Sequence, residues 1–220
     1  MIGTPAARGR HRELSQARSA ETRARILQTA REAFAEHGFA AANIREIAKE
    51  AGTTHSMITY HFGSKDNLWR EAVRDMFMLL EKQVINPLVA ELGGELDLRS
   101  TLRNFVHRYT RYCAAHPEHA RMTIAESIRG GERLEWMVQE FVIKHHLVVV
   151  PWLEDMMRAG VIHQMPVHSM LYSLVGMVQV PPMLTKEADL AGQKAMMTED
   201  SVARHAESVL QFLQPGTLSA

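Results

Sequence analysis

Apolar residues recur at helical spacing through almost the whole chain. No segment of four to eight residues alternates apolar and polar positions as a half-buried strand does. From Glu21 to His37 the positions Ile26, Leu27, Ala30, Ala33 and Phe34 form one face, and Gly38 follows where a helix C-cap takes glycine. Asn43 is placed to cap a short second helix, with Glu46 three residues on as in a capping box, and Ile44, Ile47, Ala48 and Ala51 turned inward. Gly52 ends that helix. Thr54 caps a third, carrying Met57, Ile58 and Phe62, and Gly63-Ser64 stops it. A long fourth helix starts at Lys65 or Asp66 and runs towards Asn86-Pro87.

The pattern continues beyond a Gly93-Gly94 loop. Leu96 to Ala115 is amphipathic, Pro117 opens a short helix to Ile128, and Gly130-Gly131 breaks it. Glu132 to Arg158 reads as a long helix that Pro151 is expected to kink. His168 to Val180 is apolar nearly all round and is expected to end at Pro181-Pro182. A polar loop follows, then a last helix from Glu199 to Leu213. A helix that is apolar on every side has to be buried. Met170, Leu171, Leu174, Val175 and Val178, with Gly176 permitting close approach, therefore predict a seam. The stripe Val202, Ala206, Val209 and Leu213 of the last helix adds to it. Two such helices from each of two protomers make a four-helix bundle, so a homodimer is expected.

Composition narrows the class. The chain has 220 residues, of which 46% are hydrophobic and 23% charged, as in ordinary globular domains. No apolar run is long enough for a membrane span, so no membrane partner is expected. The arginine-bearing N-terminal stretch lacks the apolar core of a secretory signal, and Cys113 is the single cysteine. Both point to a cytoplasmic protein. The net charge of zero hides an asymmetry: residues 1–66 hold ten Lys/Arg against seven Asp/Glu, and the first 31 residues hold seven Arg against Glu13 and Glu21. Residues 1–19 show no apolar periodicity and predict a basic flexible arm, whose Arg8, Arg10 and Arg12 have the composition of a minor-groove reader or of a solvated tail. A basic end on a mildly acidic remainder suits a polyanion partner.

Two short helices joined by a tight glycine turn behind a longer helix describe a helix-turn-helix. The third helix offers His55, Ser56, Thr59, Tyr60 and His61, which are hydrogen-bonding groups without carboxylates for phosphates to repel. From the pattern alone two readings stay open: a DNA reader, or a three-helix packing unit with polar outer faces. The segments ETRARILQTAREAFAEHGF, NIREIAKEAG and ITYHFGSKDNLW closely resemble the DNA-binding domain of the TetR (tetracycline repressor) family over about residues 20–75. That resemblance implies an all-α fold: a helix-turn-helix domain over 20–80, and a C-terminal helical ligand-binding and dimerisation domain over 81–220. It implies a homodimeric regulator, usually a repressor released by a small ligand; the two-fold axis of the expected dimer makes its double-stranded DNA operator a near-palindrome, and the methionine-rich C-terminal helices suit an apolar effector. Carried onto this chain, Thr22, Arg45, Tyr60, His61 and Lys65 match phosphate-contacting positions, and Thr54, His55, Ser56 and Thr59 match base-facing ones. Thr59 stands where the family often has Tyr, and Thr53 where an apolar residue is common. The family's ligand pocket would fall among Phe105, Tyr109, Met122, Trp136, Met137, Phe141 and His145.

Other chemistry is thinly represented. Fourteen methionines, most of them beyond residue 75, suit either an adaptable apolar pocket or the filling of irregular core gaps. Cys113, His116 and His119 form C-x2-H-x2-H, but no fourth ligand is close in sequence, and no metal or other cofactor is expected. His145 and His146 are adjacent on a helix and face different sides. H-E-x-x-H, G-x-S-x-G, G-x-G-x-x-G and the phosphate-binding P-loop are absent, so an enzyme is not expected. A chromosome-organising DNA binder of the same fold is the alternative to a promoter-specific regulator, with a helical enzyme or small-molecule carrier behind it.

Overall fold

The computed structural model describes residues 5–95, 97–193 and 197–216, with side chains from residue 16 onwards. Among these residues every regular element is helical. The chain divides into two compact units, Met1–Met76 and Phe77–Ala220.

The first unit holds α1 (Pro5–Ala41), α2 (Ile44–Glu50), α3 (His55–Phe62) and most of α4 (Lys65–Leu80). Helical backbone begins at Pro5, so the arm expected over 1–19 is helical from that residue on. Its Ala, Arg, Glu, Leu and Gln favour helix even without an apolar face, and proline is tolerated at a first helical position. The side chains of Arg8, Arg10 and Arg12 lie outside those described. Gly38, with φ 72° and ψ 167°, interrupts α1 as the sequence predicts, though not in the left-handed helical well. The core is made by Ile26, Leu27, Ala30 and Phe34 of α1, Ile47 and Ala48 of α2, Ile58 and Phe62 of α3, and Leu68, Trp69 and Val73 of α4. Ion pairs Arg23–Glu71 and Arg31–Asp75 tie α1 to α4.

The second unit contains α5 (Asn86–Leu92), α6 (Leu98–Ala115), α7 (Pro117–Arg129), α8 (Glu132–Met137), α9 (Ile143–Arg158), α10 (Val167–Met183), α11 (Thr185–Leu190) and α12 (Glu199–Leu213). Asp97 caps α6 by accepting the Arg99 and Ser100 N–H groups at 2.9 and 3.0 Å. α6 is the central element, packing against α5, α7, α10 and α12. Two five-residue π-helical turns, Glu81–Ile85 and Val138–Val142, join α4 to α5 and α8 to α9.

These turns explain where the helices depart from expectation. The fourth helical run does not stop near Pro87 but continues through it to Leu92. The ring of a proline collides with the carbonyl four residues back, and a wide π turn immediately upstream gives that carbonyl room. In the run from Glu132 to Arg158 the irregular stretch is the π turn at Val138–Val142, and Pro151 is carried inside α9. Pro181 and Pro182 sit in the last turn of α10, which ends at Met183. The expected polar loop holds the six-residue α11, too short for periodicity to reveal.

Candidate functional site

The turn of the helix-turn-helix is built by backbone hydrogen bonds. Thr53 N–H donates to the Ala48 carbonyl at 2.9 Å and Gly52 N–H to that of Lys49 at 3.1 Å, the paired bonds of a Schellman ending. Gly52 has φ 63°, which an L side chain rarely adopts, so glycine is required here. Asn43 Oδ1 accepts the Arg45 N–H at 2.9 Å, and Thr54 Oγ1 accepts the Met57 N–H at 3.3 Å. Each short helix thus has its first turn pinned by the residue before it, which fixes the direction of α3.

With Ile58 and Phe62 buried, α3 turns the opposite side to solvent. Thr54, His55, Ser56, Thr59 and Tyr60 are all exposed, Tyr60 at 80%. Thr54 spends its oxygen on the cap and keeps its hydroxyl hydrogen to donate. Thr59 does the reverse, donating to the His55 carbonyl at 3.1 Å. Arg45 is exposed on α2 and Thr22 is half-buried on α1. His61 is placed differently from its neighbours: the ring is half-buried between Tyr60 and Phe62, and Nε2 is buried with no hydrogen-bond partner. Lys65 opens α4 with its Nζ 3.1 Å from the Ala40 carbonyl and 5.0 Å from the centre of the Phe39 ring. The sequence showed nothing of this second attachment.

If α3 reads bases, His55→Ala and Ser56→Ala should each relax preference at one or two operator positions by about 1–3 kcal/mol while leaving non-specific affinity in place. Binding selection on randomised half-sites measures this. An unchanged preferred sequence in both variants would take those residues out of the reading face.

The second unit holds a partly open cavity of about 480 Å³. Phe105, Tyr109, Met137 and His145, four of the seven residues expected there, line it. Met122, Trp136 and Phe141 do not. Phe141 stacks behind the lining residue Phe77, with centroids 4.5 Å apart and planes at 1°, and Trp136 meets Phe141 edge-on. Met122 is buried in packing elsewhere in the unit. The wall also includes Leu80, Val84, Leu134, Val138 and Val142, several of them from the two π turns, and His119, His146 and Gln179. No periodicity distinguishes such residues from core.

The titratable groups of the wall are held neutral. Burial, helped by the neighbouring His145, pushes His119 down to about 3. Burial also lowers His145, against the pull of Glu81, whose Oε1 is 3.2 Å from His145 Nε2. It raises the Tyr109 phenol and the Cys113 thiol. Cys113, His116 and His119 do not converge: His119 Nδ1 is bonded to the Tyr112 hydroxyl at 2.8 Å, and His116 Nδ1 lies 3.3 Å from Glu118. Among the described residues no group of three or more His, Cys, Asp or Glu is placed to hold a metal ion.

A histidine neutral in the fold takes up a proton on unfolding below its ordinary value of about 6.5. The unfolded chain then binds more protons, so stability falls as pH falls through that window towards about 3. From neutral pH to about pH 5, His119 alone is expected to remove about 2 kcal/mol. Denaturation at both values should show the loss, and His119→Gln should shrink it. An equal loss in the variant would move the effect to other groups.

The seam residues require correction. Met170, Leu171, Leu174 and Val178 of α10, with Ala206, Val209 and Leu213 of α12, are buried inside their own protomer. Leu171, Leu174 and half-buried Val175 line the cavity, and Val202 is half-buried beside α6 and α10 in a second hollow. α10 is covered as its composition demands, but by its own chain. The apolar groups that α10 and α12 leave to solvent are others: Val180 and Phe212 are exposed and edge a shallow groove with Gly176, Met177 and Ser208. Among the described residues no helix is long and apolar enough to cross a membrane.

A capped helix-turn-helix with an exposed, carboxylate-free outer face, in a chain whose second helical unit holds an apolar cavity, has the features of a DNA-binding regulator. Residues 26–72 match the family described as bacterial regulatory proteins, tetR family. The chain is 31% identical over 167 residues to the HTH-type transcriptional repressor SCO4008 of Streptomyces coelicolor, an alignment covering 74% of this chain and 81% of that protein. It therefore belongs to the TetR family of transcriptional regulators. Its fold is similar to that of HlyIIR, a hemolysin II transcriptional regulator, with TM-score 0.62 and 22% identity over 86% of this chain and 97% of that one. It is also similar to FadR of Bacillus subtilis, solved in complex with stearoyl-CoA, with TM-score 0.61 and 18% identity over 87% and 97%. These relatives are regulators rather than enzymes.

Proposed function

We propose that the protein is a homodimeric transcriptional repressor that holds a near-palindromic operator through α3 and lets go when a small molecule occupies the cavity of the second unit. The observation that carries this reading is the exposed row Thr54, His55, Ser56, Thr59 and Tyr60, directed by two caps and a glycine turn. Phosphate contacts are assigned to Thr22, Arg45, Tyr60, His61 and Lys65. Dimerisation is assigned to the face of α10 and α12 bearing Met177, Val180 and Phe212, in place of the buried positions. A two-fold axis there spaces the reading helices by about one DNA turn, ~34–36 Å, or a multiple of it.

The effector half of the reading is supported by the cavity and by the stearoyl-CoA complex of the FadR neighbour. α4 carries Lys65 in its first turn and Phe77 and Leu80, both cavity-lining, in its last. A ligand that moves the end of this helix acts on a residue assigned to the operator. To empty a fully occupied operator it must favour the DNA-incompetent state by about 10⁴-fold.

The test is a mobility shift of purified protein on the DNA upstream of its own gene, followed by genome-wide occupancy. One or a few strongly preferred, near-palindromic sites are expected. Occupancy spread evenly over the chromosome would instead make the protein an organiser, and no retention of DNA at low salt would end the DNA-binding reading.

A further inference from the structure

The chemistry of the cavity wall restricts what can enter it, and the inference rests on the effector reading above. None of the described lining residues is Lys, Arg, Asp or Glu. Outside the lining, Glu81 meets the wall residue His145 at 3.2 Å. A carboxylate, sulfonate or phosphate brought inside meets no cation, and an ammonium meets no anion in the wall. An ion stripped of water and left unpaired is strongly disfavoured. The imidazoles do not supply the missing positive charge, because burial disfavours the charged form of His119, His145 and His146.

What remains polar is neutral and hydrogen-bonding. His119 Nδ1 is held by the Tyr112 hydroxyl at 2.8 Å, so Nε2 is the ring nitrogen left to meet a guest. On the wall formed by α6 and α10, Gln179 Nε2 donates to the Tyr109 oxygen at 2.8 Å, which leaves the amide carbonyl as an acceptor. The volume of about 480 Å³ lies within the range of small-molecule sites. We infer that the effector is an uncharged, mainly apolar molecule presenting one hydroxyl, amine or carbonyl group to His119, and that fatty acids and other anionic amphiphiles are rejected by the wall.

N-phenyl-1-naphthylamine and 8-anilinonaphthalene-1-sulfonate share a ring system and differ by one sulfonate, so they isolate the charge. Titrated by fluorescence into the full chain at neutral pH, the amine should saturate one site per protomer, and the sulfonate should bind at least about tenfold more weakly. 1-Decanol should displace the amine where decanoate does not, which repeats the comparison without any substitution. Leu134→Trp, which fills the cavity from its wall, should abolish binding of the amine. Sulfonate binding as tight as the amine, or displacement by decanoate equal to that by decanol, overturns the inference and leaves the effector reading standing. Failure of both dyes to bind, or binding of the amine untouched by Leu134→Trp in a folded protein, removes the effector reading along with it.

Discussion

Operator affinity should fall by about 10³-fold between 50 and 200 mM salt. The estimate follows from about six phosphates neutralised per dimer, each contributing a slope of about −0.9 in log K against log salt. That number counts the proposed contacts of Arg45 and Lys65, two cations per protomer, and one more per protomer from the arginines near the start of the sequence. Lys65→Ala should weaken every DNA sequence alike and make the slope shallower by about 1.8, two contacts per dimer. Lys65 also holds the Ala40 carbonyl and lies over Phe39, so the substitution loosens the junction of α1 with α4 as well. The two roles separate cleanly. A structural loss lowers the melting temperature and leaves the salt slope alone, whereas a lost phosphate contact changes the slope. Unchanged affinity and slope together would show that this end of α4 does not meet the DNA backbone.

Phe212→Glu combined with Val180→Glu should give a folded monomer whose operator affinity is reduced by about 10²-fold or more. Half-sites held in one dimer bind with an effective concentration that separate monomers lack, and the loss follows from its removal. Phe212 is 61% exposed and Val180, which also edges the cavity, 40%, so charges there fall on solvent-accessible positions rather than in the packed core. Leu174→Glu is the contrast. Leu174 is 1% exposed, and a carboxylate in its place should unfold the second unit instead of dissociating it. Sedimentation and circular dichroism on the two constructions distinguish these outcomes. A Phe212→Glu, Val180→Glu protein that stays dimeric would place the interface on another face.

The third helix was legible because everything that specifies it is local. Caps at Asn43 and Thr54, a glycine that must take positive φ at position 52, and apolar positions Ile47, Ala48, Ile58 and Phe62 all lie within twenty residues. The second unit is specified by contacts distant in sequence, and there periodicity says only that a face is covered. α10 is apolar nearly all round, and it is buried. Pattern alone could not tell cover by α6, α7, α9 and α12 of the same chain from cover by a second copy. The cavity failed to show for a related reason. Met137 and Met122 are both buried methionines, one in the wall and the other not, and only the three-dimensional arrangement separates them.

The two π turns set where this architecture can change length. A π turn is an α-helix with one residue too many, which bulges while the flanking turns keep their faces. Deleting one residue from Glu81–Ile85 or Val138–Val142 should restore ordinary i→i+4 bonding and leave Leu88 and Trp152, both buried, on their packing faces. The same deletion in the middle of α6 swings every later side chain by about 100° off its packing face. Val84, Ile85, Val138 and Val142 all line the cavity, so the helices expected to tolerate a frame change are those that shape it. The shape of this cavity is therefore open to revision by insertion and deletion, a coarser and faster route than exchanging wall residues singly.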